Sequence, residues 1–175
     1  MECRDLLIDT YGRVEESMRQ CLDGLQPEQL VFRPSETSNS IAWLAWHLTR
    51  VQDHHLSDLA ERPQAWVADG WHARFDKPAD AGDTGFGYTP EQVAAIRPAS
   101  AQLLLEYFEA IHQRSLEYLR RVEPADLDRV LDEPWWNPPP TVGVRLVSVA
   151  EDCLQHVGQM AYLRGLIEQR RWLPY

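Results

Sequence analysis

Residues 143–169 read GVRLVSVAEDCLQHVGQMAYLRGLIEQ. Within this stretch Val149, Cys153, His156, Met160, Leu163 and Ile167 recur at alternating steps of four and three. An α-helix turns about 100° per residue, so such steps keep side chains on one stripe. Alternation of this kind fits the seam of a helical bundle. The pattern predicts a helix from about Gly143 to Gln169. One member of the seam is a histidine. A polar group set among apolar ones needs a partner, so His156 implies a counterpart nearby.

Three further segments carry the same periodicity. Glu2 to Leu25 places Leu6, Leu7, Tyr11, Val14, Met18, Cys21, Leu22 and Leu25 at helical steps, with Gly24 and Pro27 near its end. Ser40 to Ala60 does so with Ile41, Leu44, Leu48, Val51 and His55, and Ser38 or Asn39 is its expected N-cap. Ser100 to Val122 follows with Tyr107, Phe108, Ile111, Leu116 and Leu119, and Pro124 stops it. Strand signals are few. The reading is an all-α fold, a four-helix bundle with a long loop between helices 2 and 3, in one domain spanning residues 1–175.

That loop runs from Glu61 to Pro98 and is rich in Gly, Asp and aromatics. Long connections in small domains often serve as lids or binding loops. Thr89 followed by Pro90 predicts a short helix inside it, with Thr89 as cap. The stiff segment PWWNPPPT at 134–141 is expected to frame a pocket mouth.

Composition narrows the function classes. The chain has 175 residues and a formal net charge of -10. That acidity argues against nucleic-acid binding and against anionic membrane surfaces, both of which need clustered Lys and Arg. The three cysteines show no C-x-x-C spacing, and buried free thiols in a reducing cytosol are the expectation. The charged N-terminus does not read as a signal peptide, and no apolar run approaches the ~18 residues of a membrane span. A cytoplasmic protein is expected. Seven tryptophans point to an aromatic core or a lined pocket. Phosphate loops and G-x-S-x-G elbows are absent from the sequence.

Asp152 and His156 are four residues apart. On a helix they project within roughly 40° of each other and about 6 Å apart along the axis. A carboxylate and an imidazole so placed can chelate one divalent ion. A third ligand from another helix leaves coordination positions open. His47 is the candidate, on or beside the buried face of the second helix. His54 shares roughly that face but lies ~10 Å along the axis, where it can line a pocket. His55 points about 80° away. The alternative is an ordinary ion pair between Asp152 and His156. His54, Asp53 and His72 are possible pocket residues but are each read first as solvated, and Met160 as core packing.

The stretch Asn39-Ser40-Ile41-Ala42-Trp43-Leu44-Ala45-Trp46-His47-Leu48 resembles the second-helix motif of the DinB-like superfamily. His156-Val157-Gly158-Gln159, followed by Tyr162-Leu163-Arg164-Gly165-Leu166, is similar to its fourth-helix motif. Many such proteins carry His-x-x-x-His there, whereas this chain has Asp152 at the first position. The mycothiol-dependent maleylpyruvate isomerases resemble that acidic variant better. The resemblance implies His47, Asp152 and His156 as metal ligands, with orientation of a ligand as the alternative role for the short Asp152. A carboxylate and an imidazole suit Zn²⁺ or Ni²⁺. It implies metal-dependent transfer using a low-molecular-weight thiol such as mycothiol or bacillithiol, acting on a small-molecule substrate, with metal-dependent hydrolysis as the variant. A homodimer is the family-level expectation. The alternatives are a non-catalytic, metal-stabilised binding module and a metal-free interaction domain.

Overall fold

The computed structural model describes residues 2–171; Trp172 lies outside them. Among the described residues the regular structure is helical, with one isolated bridge between Val130 and Thr141. Four long helices occur where periodicity places them: α1 (Cys3–Leu22), α3 (Ile41–Leu59), α7 (Ala101–Leu119) and α9 (Val142–Glu168). Short helices occupy the connections: α2 (Pro27–Leu30), α4 (Ala65–Ala68), α5 (Trp71–Arg74), α6 (Pro90–Ala94) and α8 (Pro124–Leu127). The long connection is therefore not one bare loop. No helix among the described residues is long and apolar enough to cross a membrane.

Local chemistry sets the helix starts. Ser40, not Ser38 or Asn39, caps α3, because its extended backbone lets Oγ accept from the Trp43 N–H at 3.2 Å. Ser100 does the same for α7 and Thr141 for α9. Thr89 caps α6 ahead of Pro90, as its sequence indicates.

The helices α1 and α3 each pack against both α7 and α9, so each pair shares one core. Tyr11, Met18, Leu44, Trp46, Phe108, Leu146 and Met160 fill it. Each such side chain contributes about 1.5–3 kcal/mol when fully buried. Every residue from Ile41 to Arg50 is buried, so the first half of α3 runs through the interior without a solvent face. Its polar residues are thereby forced inside. Thr49 donates back to the Ala45 carbonyl at 2.7 Å, and Gln52 donates to Ser115 Oγ at 2.7 Å.

Asp53 departs from the expectation of a solvated residue. It is buried, pairs with the buried Arg50 at 3.2 Å, and accepts from the backbone N–H groups of Ala65 and Trp66. Cys21 and Cys153 are buried free thiols, but Cys3 is exposed at the first turn of α1. Trp43, Trp46, Trp66 and Trp71 are buried. Trp135 and Trp136 are 73% and 57% exposed, so the proline-rich segment presents its rings to solvent.

Candidate metal centre

His47 projects from α3, and Asp152 and His156 from α9, the helix packed most closely on it. One ligand atom from each residue falls in a group whose members all lie within 4.8 Å of one another. His47 Nε2 is 3.9 Å from Asp152 Oδ1, and His156 Nε2 is 3.4 Å from the same oxygen. Ligand atoms ~2.1 Å from a tetrahedral ion sit about 3.4 Å apart, so the two spacings to Asp152 Oδ1 are close to what one ion needs.

The far nitrogens decide which atoms face the centre. His47 Nδ1 lies 2.6 Å from the Thr84 carbonyl oxygen. A carbonyl only accepts, so Nδ1 carries the proton and Nε2 presents a lone pair. His156 Nδ1 is 3.1 Å from Gln159 Oε1, which assigns the same form to its neutral ring. Two imidazole lone pairs and a carboxylate oxygen then converge on one point. Such a cluster needs a proton or a cation between its members. Asp152 Oδ2 is buried without a hydrogen-bond partner among the described residues, a second feature that suits a bound cation. The donor set of two imidazoles and one carboxylate therefore fits a divalent metal with positions left open.

Protonation follows the same geometry. Burial is the largest influence on His47 and lowers its pKa, against the opposing pull of Thr84 and Asp152. Burial also acts downward on His156, but the hydrogen bond that its protonated ring makes to Asp152 and the charge of that carboxylate together outweigh it and raise the pKa. Metal and proton compete for the same nitrogens.

Aromatic packing holds the histidines still. Trp43 stacks on His47 at 4.5 Å and 11°, and meets His156 edge-on at 5.9 Å. Gly85 lets the loop reach them. Its φ is +87°, and a Cβ there would lie 2.7 Å from Trp46 and 3.3 Å from His47 Nδ1. Lys77 ties this loop down by pairing with Asp83 at 3.0 Å while lying over the Trp46 ring.

A cavity of about 350 Å³ opens beside the cluster, lined by His47, Asp152, His54, His55, Arg145 and Phe86 among others. His54 is where its register places it. His55 shares the cavity without joining the ligand cluster. Burial, Arg145 and His54 together push the His55 pKa down to about 3. The segment at 134–141 does not line the cavity; its neighbour Glu133 reaches it by pairing with Arg145. His72 lies apart, its Nδ1 3.1 Å from the Lys77 carbonyl.

Sequence reasoning missed Arg145, Gln159, Thr84 and Gly85. Two were open to detection: Arg145 lies two turns before Asp152, and Gln159 three residues after His156. Thr84 was not, because its contribution is a backbone carbonyl.

Comparison with known proteins adds three findings. The profile of the DinB superfamily matches residues 10–160. The chain is similar to a conserved protein of Enterococcus faecalis whose crystal structure superimposes with a TM-score of 0.89 at 31% identity, covering 97% of this chain and 99% of that one. No curated protein matches.

Proposed function

The chain belongs to the DinB superfamily, and from this we propose that His47, Asp152 and His156 hold one divalent metal ion for thiol-dependent group transfer. The observation that supports it most is the convergence of two imidazole Nε2 atoms on one carboxylate, with both Nδ1 atoms already engaged. Zinc and nickel both suit such a donor set. When bound, the ion supplies Lewis acidity that lowers the pKa of a thiol or a water toward neutrality.

The chain's own residues supply the rest. His47 and His156 are held in one tautomer and orientation by Thr84, Gln159 and Trp43. Phe86, Val51 and Val149 give the cavity apolar wall area. Arg145 places a guanidinium at the same cavity, balanced by Glu133. The substrate class is a small electrophile met by a low-molecular-weight thiol such as mycothiol or bacillithiol. Metal-dependent hydrolysis is the variant of the same site.

Elemental analysis tests the first half. We expect about one metal per chain, and at least tenfold weaker binding in His47→Ala, His156→Ala and Asp152→Asn. Full metal content in either histidine variant sinks the ligand set. A thiol-dependence assay tests the second half, with mycothiol and bacillithiol offered alongside monochlorobimane as electrophile. A metal-replete protein that turns over with neither thiol, and hydrolyses no ester or amide probe, is instead a binding module.

A further inference from the structure

Arg50 follows His47 by three residues on α3 and is completely buried. A guanidinium has five N–H donors and no acceptor. Here five hydrogen bonds use them. Nε donates to the Asp83 carbonyl at 3.0 Å, and Nη2 to the Ala81 carbonyl at 3.0 Å. Nη1 donates to Asp53 Oδ2 and to the Tyr107 hydroxyl, each at 3.2 Å. Nη2 also donates to Gln64 Oε1 at 2.9 Å. Asp53 meanwhile holds the backbone N–H groups of Ala65 and Trp66. The Arg50–Asp53 pair thus grips the long connection near residues 64–66 and again at 81–83.

Two proton positions follow. Asp83 immediately precedes Thr84, so holding its carbonyl anchors the chain one peptide before the Thr84 carbonyl that accepts from His47 Nδ1. His47 therefore keeps its proton on Nδ1 and a bare Nε2 toward Asp152. On the other side, the atom of Gln64 that faces a guanidinium must be its oxygen. Its amide nitrogen then faces His54 Nδ1 at 3.0 Å and donates to it. Neutral His54 is left with its proton on Nε2.

We infer that Arg50 is a positioning residue that sets opposite tautomers on two histidines of one cavity, Nδ1–H on His47 and Nε2–H on His54. The cavity then holds an acceptor nitrogen for a cation at His47 and a donor N–H for a bound small molecule at His54. This extends the metal-binding proposal above and relies on it only for the effect on metal affinity.

Long-range ¹H–¹⁵N spectra of the histidine rings in the metal-free protein test the assignment directly. We expect the two rings to report opposite tautomers. The same tautomer on both overturns the inference. In Arg50→Met we expect mixed tautomers on both rings and zinc affinity 10- to 100-fold weaker by chelator competition, with helical circular dichroism kept. Unchanged rings and unchanged zinc affinity in that variant overturn the role of Arg50.

Two variants that keep the Arg50–Asp53 pair serve if Arg50→Met does not fold. Gln64→Leu cuts only the branch to His54; we expect a mixed His54 tautomer beside an unchanged His47 and unchanged zinc affinity. Gly85→Ala strains the other branch, its Cβ meeting the Trp46 ring at 2.7 Å and His47 Nδ1 at 3.3 Å; we expect faster solvent exchange of that Nδ1 proton and weaker zinc binding, with His54 unchanged. A variant whose own ring keeps its wild-type signal overturns that branch. A wild-type protein with opposite tautomers that binds no zinc sinks the metal proposal and leaves this inference standing.

Discussion

His55 shows how strongly a cavity beside α3 can act on one side chain. Its pKa of about 3, set first by burial and then by Arg145 and His54, means the folded ring stays neutral through the weakly acidic range. An unfolded histidine titrates near ~6.5. Between those values the unfolded chain binds more protons, so the folded state loses stability as pH falls. The contribution is fully present above about pH 6.5 and is progressively lost toward pH 3. Urea unfolding of chelator-treated protein at pH 7.5 and 4.5 measures it. We expect His55→Asn to lose less stability between the two than the wild type. An equal loss would show that His55 is not the group responsible. Asp152 carries the opposite lesson, since spacing alone cannot separate it from a surface ion pair, and the fold sets it beside two histidines.

At the scale of elements, α3 is the part most dependent on its start. Ser40 is itself buried, and its hydroxyl is the partner of the Trp43 N–H. Removing that hydroxyl leaves a donor unpaired where water has little access. We expect Ser40→Ala to lower stability by about 1 kcal/mol, read as a lower urea midpoint with an unchanged m-value. An unchanged midpoint would mean that another group takes over the cap. The connection from α3 to α7 behaves as a second layer rather than as slack chain. Arg50 and Asp53 bind it from α3, the Lys77–Asp83 pair braces it internally, and it returns the Thr84 carbonyl to the centre. Breaking the buried Arg50–Asp53 pair on one side leaves the other charge uncompensated, which is costly at about 3–5 kcal/mol.

The whole molecule places its candidate centre across the α3–α9 contact, so an ion held there ties the two helices together. Any ligand that binds only the folded state stabilises it by mass action, about 2.7 kcal/mol at a hundred times the dissociation constant. We expect zinc to raise the melting temperature and a chelator to reverse the rise. His156→Ala should show no such shift. A rise of equal size in that variant would place the stabilising ion elsewhere.

Periodicity made the four long helices legible in the residues themselves, because helical packing demands apolar side chains at steps of three and four. Local spacing likewise brought Asp152 and His156 onto one face, and the setting of His47 singled it out. Three things were settled only by the tertiary structure. The depth of α3 turned Asp53 from an expected surface acid into a buried anchor, since burial depends on what packs around a helix and not on its own pattern. The loop carbonyl of Thr84 carries no side-chain signature, yet it sets the tautomer of His47. The approach of two helices far apart in sequence set the distances that make three polar residues one candidate centre. Short-range order follows from residue periodicity, whereas a site built across elements follows from how those elements pack.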